Sequence, residues 1–197
     1  MPVKLTGDWL LTKRLLAVAP MKIQRAWKQT LQQEAHQLRK EMIRGITQQA
    51  PGGAPFQPLS EFTRAIRKFV GFSGTKALIR RADLRNSINV IIKDNEAFVG
   101  IPRKARAKGQ RRIIDIAKVH EFGAGPTIIP KTPKMRAFIM AVLAKAGIEP
   151  SGKGSSSPVV IISIPARPFI RPAFQKYMKT GGKRFLENLS KRLDLRD

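Results

Sequence analysis

Cysteine is absent from the 197-residue sequence, and histidine occurs only twice. The lack of thiols excludes disulfides, thiolate-bound metals and cysteine nucleophiles. Long apolar runs are also missing: Lys13 and Arg14 divide the apolar stretch from Trp9 to Met21. The undivided part is too short to span a bilayer, and its charges lie inside the stretch instead of ahead of it, as a signal peptide requires. We therefore expect a protein of the cytoplasm with no membrane partner.

Acidic residues are scarce as well. The chain has 13 Asp and Glu against 38 Lys and Arg, which leaves a formal net charge of +25. A compact body with this charge repels itself unless a polyanion or counterions lie close, so nucleic acid is the partner that composition predicts. Apolar residues make up 42% of the chain, more than a disordered basic tail would carry. We expect a single folded domain over residues 21–197, preceded by an arm or short helix at residues 1–20.

Apolar periodicity predicts several helices. From Ile23 to Ile46, apolar or small residues recur at every third or fourth position, which indicates one long helix over residues 22–49. Pro20 predicts a break before it. The same spacing predicts shorter helices over residues 113–122, 135–146 and 172–195. The last of these should be kinked or interrupted at Gly181 and Gly182.

Strand signals are concentrated in two places. Residues 87–92 and 97–101 are rich in β-branched and aromatic side chains and flank the turn residues Asp94 and Asn95, a pattern typical of an antiparallel hairpin. Residues 158–164 have the composition of a buried strand, after a predicted flexible loop at residues 149–157. We expect an α+β fold in which one small, mainly antiparallel sheet packs against the long N-terminal helix and the helices at 135–146 and 172–195.

Residues 102–112 are the most basic part of the chain. They contain no acid and six cations, namely Arg103, Lys104, Arg106, Lys108, Arg111 and Arg112. Since no core could accept this segment, we expect it to project as a loop and to contact phosphates without reading bases. The absence of aromatic residues argues against stacking on single strands. A solvated loop, or one that contacts an acidic neighbouring protein, remains the alternative.

Signals for catalysis are weak. His120 and Glu121 are neighbours, but adjacent side chains on a helix diverge, and the other imidazole, His36, has no ligand spacing to them. The segment from Gly71 to Lys76 lacks the spacing of a phosphate-binding loop and is predicted to be a turn. The remaining carboxylates are scattered along the chain. We therefore predict no catalytic residue, no metal site and no cofactor.

Two short segments far apart in the chain carry a more specific signal. They are residues 119–123, VHEFG, and residues 164–173, IPARPFIRPA, in which prolines hold the backbone extended before Pro172 opens a helix. Residues 53–63, GAPFQPLSEFT, and 82–88, ADLRNSI, precede them. In this order the four segments resemble the tailed-bacteriophage tail-completion, or virion morphogenesis, family across residues 20–175. The sequence departs from that pattern in Asp83, where the family usually has glycine, and in its long basic loop.

The resemblance implies a structural virion protein without an active site, assembled in the host cytoplasm and placed at the head–tail junction. It implies a homo-oligomeric ring, expected to be a hexamer, that joins tail to head and lets genomic double-stranded DNA pass through a basic channel. Neighbouring connector or neck proteins and tail-tube or tail-terminator proteins are the implied partners. The DNA-contacting candidates are the six cations of residues 102–112. The subunit-interface candidates are His120, Glu121, Phe122, Gly123, Arg167, Phe169 and Arg171.

Within this set, two roles are left open by the sequence. Glu121 is expected to pair with Arg167 or Arg171, within or between subunits, and Phe169 suits a core or an interface equally. Two other classes of protein also remain. A cellular basic nucleic-acid-binding protein would bind nucleic acid tightly as a monomer, and an enzyme using Asp115, His120 and Glu121 would lose metal-dependent turnover in His120→Ala. Assembly predicts instead that Phe169→Ala or Arg167→Ala destroys the oligomers.

Overall fold

The computed structural model describes residues 9–107, 111–149 and 157–193. In chain order its elements are α1 (Trp9–Gln48), a 3₁₀ turn (Pro51–Gly53), α2 (Glu61–Phe69), α3 (Asp83–Asn86), β1 (Asn89–Lys93), β2 (Glu96–Gly100), α4 (Ile113–Phe122), β3 (Ala124–Pro130), α5 (Pro133–Ala146), β4 (Val159–Ile164) and α6 (Arg171–Leu193). The predicted α+β class is confirmed. None of the described helices is long and apolar enough to cross a membrane. Lys108 and most of the predicted flexible loop lie outside the described residues.

The C-terminal half of helix α1 packs in the core, and its middle packs against α6. The core-facing residues are those of the predicted stripe, Ala35, Leu38, Met42 and Ile46. Further toward the N-terminus the buried side changes to Ala26 and Thr30, while Ile23 and Trp27 are partly exposed. The ring of Trp27 meets Phe185 of α6 edge to face, with 4.8 Å between centroids. The apolar periodicity therefore identified the helix and only half of its buried face.

The predicted break at Pro20 is wrong, because α1 continues through this residue. Proline in a helix interior removes one backbone hydrogen bond, a local cost. Strong helix formers, Leu15 to Ala17 before it and Lys22 after it, stand on both sides. Helix α6 likewise runs uninterrupted through Gly181, which is buried: a Cβ there would lie 2.7 Å from the ring of Tyr177.

The strands form two separate two-stranded sheets instead of the single sheet we expected. The predicted hairpin is confirmed, with β1 antiparallel to β2 from the Asn89–Gly100 pair to the Lys93–Glu96 pair. Strand β4 pairs instead with β3, a strand that we did not predict; its Gly125, Pro126 and Pro130 are residues that disfavour strands. Nor is β4 a buried strand: its central residues are exposed, since no other helix or strand among the described residues packs extensively against this pair.

One core joins α1, α3, the β1–β2 hairpin, α4 and the start of α6. Its fully buried centre includes Met42, Ile46, Ile88 and Phe169. Helix α5 was expected against the sheet but packs on α2 instead, where the rings of Phe69 and Phe138 meet edge to face at 5.6 Å. The hairpin and α4 thus face the same core as the beginning of α6, which brings the distant motif segments together.

A buried carboxylate joins α1 to α6. Glu34 is 3% exposed and accepts hydrogen bonds from the Tyr177 hydroxyl at 2.9 Å, the Arg184 guanidinium at 2.7–3.0 Å and the Asn188 amide at 3.0 Å. Burial by itself raises the pKa of Glu34, but these donors and the charge of Arg184 outweigh it and hold that pKa below its ordinary value. Burial and the Glu34 carboxylate together raise the pKa of Tyr177 to about 12.

Candidate functional site

Residues 165–170, which we call the strap, cross the end of α4 and lead into α6. The backbone N–H of Arg167 donates to the carbonyl of His120 at 2.6 Å. Gly123 ends α4 with a φ of 77°, and a Cβ at this position would lie 3.0 Å from the backbone nitrogen of Ala166. Glycine is required here both by the backbone conformation and by the close approach of the strap. The VHEFG segment therefore forms the surface against which the strap packs.

Glu121 binds the entry to α6 through its carboxylate. It accepts hydrogen bonds from the backbone N–H groups of Phe169 at 2.8 Å, Ile170 at 3.0 Å and Arg171 at 2.9 Å. The first N–H groups of a helix have no partner within the helix, and a negative charge next to them is favourable. Within the chain, the described partners of Glu121 are therefore backbone amides and not the guanidinium groups of Arg167 or Arg171 that we predicted, and side-chain charges alone could not identify them.

Arg167 ties the strap to the Pro-rich loop before α2. Its side chain is buried and donates to the backbone carbonyls of Gln57 at 2.8 Å and Pro58 at 3.1 Å. Burial lowers the pKa of this guanidinium. Gln57 and Pro58 belong to the motif segment at residues 53–63, so Arg167 joins two of the four motif segments directly.

The structure corrects part of the predicted subunit interface. Phe169 is 0% exposed and lies in the protomer's own core, and Arg167 is used inside the same chain. Neither side chain is available to a neighbouring subunit, because the strap folds back onto its own α4. Phe122 differs: it is 67% exposed, and the guanidinium of the exposed Arg171 lies 5.8 Å from its ring centroid. Of the candidates, these two present side chains to the surface.

The side chain of His120 lines a cavity. His120 is hydrogen-bonded to the strap through its backbone carbonyl and not through its ring. Its Nδ1 atom is buried without a hydrogen-bond partner among the described residues. Burial lowers its pKa, and the nearby charges of Arg167 and Arg67 lower it further, so the ring is neutral at pH 7. No group of three or more His, Cys, Asp or Glu within the described ranges is placed to hold a metal.

The described part of the basic segment, residues 102–107 together with Arg111 and Arg112, is anchored to the core. Ala105 and Ala107 pack against the core, the N–H of Ala107 donates to the carbonyl of Arg111 at 2.9 Å, and Arg106 pairs with Arg112 in an isolated bridge. The core thus accepts the alanines that lie between the cations. The prediction of a projecting loop considered only the charged residues and overlooked these alanines. The described cations all have exposed side chains, namely Arg103, Lys104, Arg106, Arg111 and Arg112. Arg112 also pairs with Asp115 at 2.8 Å.

Three arginines near this segment were not singled out from the sequence. Arg67 on α2 and the pair Arg80 and Arg81 before α3 line the same cavity as Arg111, Arg167 and His120. Their positions in the chain have no common period, and the adjacent pair at 80–81 was the one local sign. Only the packing of α2 against the segment leading to α3 reveals that these charges converge.

The four motif segments meet in this structure. Glu121 binds the strap, Arg167 reaches residues 57 and 58, and Leu84 and Ile88 of the third segment share the core with Phe169. A comparison with protein families matches residues 10–176, which include all four segments, to the phage virion morphogenesis family. The protein belongs to the phage virion morphogenesis family. The resemblance seen in the sequence is thereby confirmed, and with it a role in building the phage particle. Comparisons with curated proteins and with solved structures gave no match.

In this member of the family, the motif residues hold the protomer together. Buried or hydrogen-bonded within one chain, they position the strap and the first turn of α6. Phe122 and Arg171 are the motif residues described above with exposed side chains. The described part of the basic segment and the sheet formed by β3 and β4 also present exposed side chains.

Replacement of Glu121 by glutamine tests the hydrogen bonds between this carboxylate and the backbone at the start of α6. We expect Glu121→Gln to lower the free energy of unfolding by about 2–3 kcal/mol, since the amide loses the charge and turns an NH₂ group toward backbone donors. Equilibrium unfolding in urea measures this change. The same substitution at the exposed Glu96 should cost less than about 0.5 kcal/mol. Equal stability of the two variants would mean that the three amide contacts contribute nothing to the fold.

Proposed function

We propose that this protein is a neck or tail-completion component that forms a homo-oligomeric ring at the head–tail junction, joins tail to head and surrounds the DNA. The observation that carries the proposal is the presence of two chemically different surfaces on one protomer. One is uncharged and apolar and suits another protein chain, and the other is basic and suits a polyanion. Membership in the family supports the setting in the virion.

The apolar surface is the sheet of β3 and β4, which we call the ribbon. It contains no charged residue. Ile128 and Ile161 are directly opposite each other across the two strands, and both are 65% exposed. Among the described residues each strand has a neighbouring strand on one side only, so its other edge offers backbone N–H and C=O groups for pairing with a further strand. An exposed apolar pair with two open edges is typical of a surface that another chain covers.

The occupant we propose is a second copy of the chain. Most surfaces of a protein with a formal charge of +25 repel a copy of themselves, whereas the uncharged ribbon can approach one without that cost. Contacts repeated from copy to copy close into a ring when the rotation between them allows it. The exposed Phe122 precedes β3 directly and, with Arg171, extends this surface. We propose a hexamer, with connector or neck and tail-tube or tail-terminator proteins above and below.

The basic segment would contact the DNA in the lumen. Its exposed cations alternate with core-packed alanines, so the charges are held at the surface by a fixed backbone. In a ring the same segment from each copy adds to one positive field around the axis. Contacts of this kind bind phosphates without reading bases and weaken steeply as salt rises. Lys108, in the same segment, belongs to the proposed contact set.

Assembly and DNA binding can be tested in one experiment with two variants. We expect mass measurement and electron microscopy to show rings of the wild-type chain with duplex DNA or purified phage connectors, and monomers for Ile161→Lys. The variant Arg103→Gln/Lys104→Gln should keep the rings but bind duplex DNA more weakly. The slope of log affinity against log salt should fall by about one for each lost phosphate contact.

Ile91→Lys is the matched control, since Ile91 is also exposed but lies on the other sheet, and this variant should assemble as the wild type does. A wild-type chain that stays monomeric with both DNA and connectors would contradict the ring. If that monomer bound duplex DNA tightly, the alternative of a basic nucleic-acid-binding protein of cellular type would be favoured.

A further inference from the structure

Arg67, Arg80 and Arg81, which were not singled out from the sequence, line a cavity of about 600 Å³. Its walls come from α2, the segment before α3, the basic segment, α4 and the strap, so it forms only when the chain is folded. Five arginines face it, and Asp83 is the one carboxylate in its lining, which leaves a formal excess of four positive charges. The rest of the lining is largely aliphatic, as at Leu78, Ile113 and Ile116.

None of these arginines has a carboxylate partner within the described ranges. Arg67 donates to the backbone carbonyls of Gly74 at 3.2 Å and Lys76 at 2.8 Å, and Arg167 binds two further carbonyls of the loop before α2. Arg80 lies over the ring of Phe72, 4.4 Å from its centroid. These contacts hold the guanidinium groups in place without neutralising their charge.

The charges affect one another across the cavity. Burial lowers the pKa of Arg67, and the charges of Arg80 and Arg167 lower it further. His120 is neutral for the same reason, so its ring adds no positive charge to the cavity wall. A site of this kind is electrostatically incomplete, because an anion inside it would offset the repulsion and accept hydrogen bonds from the guanidinium groups.

We propose that this cavity binds the phosphate groups of a nucleotide-sized ligand, at a site that shares Arg111 with the basic segment and otherwise uses residues outside it. Phosphate matches the planar fork of arginine with two parallel hydrogen bonds, and a chain of two phosphates carries enough charge to offset most of the excess. The cavity volume is typical of small-ligand sites, and the aliphatic wall can cover a base or sugar. A double helix is too wide to enter a concavity of this size.

The ligand has two sources, a free nucleotide or the phosphorylated end of a DNA strand. Calorimetric titration of the full chain in low salt with inorganic pyrophosphate tests the phosphate chemistry itself. We expect pyrophosphate to bind, and Arg80→Gln/Arg81→Gln to weaken that binding roughly a hundredfold, since each charge-assisted contact is worth about a factor of ten. ADP and a 5′-phosphorylated trinucleotide then separate the sources: the tighter of the two identifies which one the site takes.

The matched control is Lys134→Gln/Arg136→Gln, which removes the same charge from exposed positions on α5 and should change the affinity less than about twofold. Arg80 and Arg81 are exposed, so their replacement leaves the core intact, and circular dichroism verifies the fold. Equal pyrophosphate affinity in the wild type and in Arg80→Gln/Arg81→Gln would overturn the proposal, as would citrate binding as tightly as pyrophosphate. The pyrophosphate titration does not depend on the proposed function: its outcome would stand even if the chain formed no rings or did not bind duplex DNA.

Discussion

Phe169→Ala is expected to lower the free energy of unfolding by about 3–5 kcal/mol, which is a large part of the stability of an ordinary domain. Phe169 is completely buried in a cluster with residues of α1, α3 and α4, so removal of its ring leaves a cavity that neighbouring side chains can close only in part. Because the strap is fixed at Arg167 and at the amides bound by Glu121, the backbone has little freedom to collapse. Urea unfolding followed by circular dichroism measures the change.

The matched control is Phe98→Ala, at a side chain that is 50% exposed on β2. Its cost should stay below about 2 kcal/mol, because half of this side chain remains exposed in the folded chain. If Phe169→Ala proved as mild as the control yet abolished assembly, Phe169 would be an interface residue and the packing described above would be wrong. The structure predicts instead that any loss of oligomers in this variant follows from loss of the fold.

Glu34→Ala is the second change with a large expected effect, about 2–4 kcal/mol of destabilisation. The substitution leaves the Arg184 guanidinium and the Tyr177 hydroxyl without their acceptor between α1 and α6. Because the side chain of Arg184 is 35% exposed and regains part of its hydration, the cost stays below that of breaking a fully buried ion pair. Thermal and urea unfolding should both report the loss.

Glu187→Ala provides the comparison, since Glu187 lies on the same helix and pairs with Lys183 only at 4.0 Å in an exposed position. This variant should lose less than about 1 kcal/mol. Similar losses in the two variants would show that the cluster around Glu34 adds nothing beyond an exposed ion pair.

The same cluster makes stability depend on pH in two windows. The pKa of Glu34 is lowered in the folded state, so its contribution is present above the ordinary pKa of glutamate and is lost as pH falls through the lowered value. The pKa of Tyr177 is raised to about 12, so the hydroxyl contributes below the ordinary pKa of tyrosine and loses that contribution as pH rises toward 12. In Glu34→Ala, part of the decline at acidic pH should disappear.

The difference between the predicted and observed roles of the strap has a plain physical origin. Its prolines correctly indicated an extended segment that ends where α6 begins. The same pattern cannot say whether the segment lies on its own chain or on a neighbour. That choice depends on Gly123, which admits the backbone of the strap, and on Glu121, which binds its amides. Both residues lie more than 40 positions away, and their effect appears only in three dimensions.

The two sheets illustrate the same distinction. The β1–β2 hairpin was predictable because Asp94 and Asn95 set a turn between strands that are neighbours in the chain. Strand β3 was not, since its glycine and prolines argue against a strand and its partner follows about thirty residues later, beyond the whole of α5. Within the part of the chain that the structure describes, β3 pairs with β4, and no other helix or strand packs extensively against the ribbon.

The sequence alone identified a basic α+β protein of the virion morphogenesis type. It also predicted α4, α5 and the β1–β2 hairpin close to where the structure has them. Those features depend on charge, on periodicity and on turn residues, all of which act over a few positions. Only the tertiary structure decided that Phe169 and Arg167 are internal, that β4 pairs with β3 and that five arginines share one cavity. Such features arise from contacts between distant segments, and a local pattern specifies which face of an element is apolar but not what will cover it.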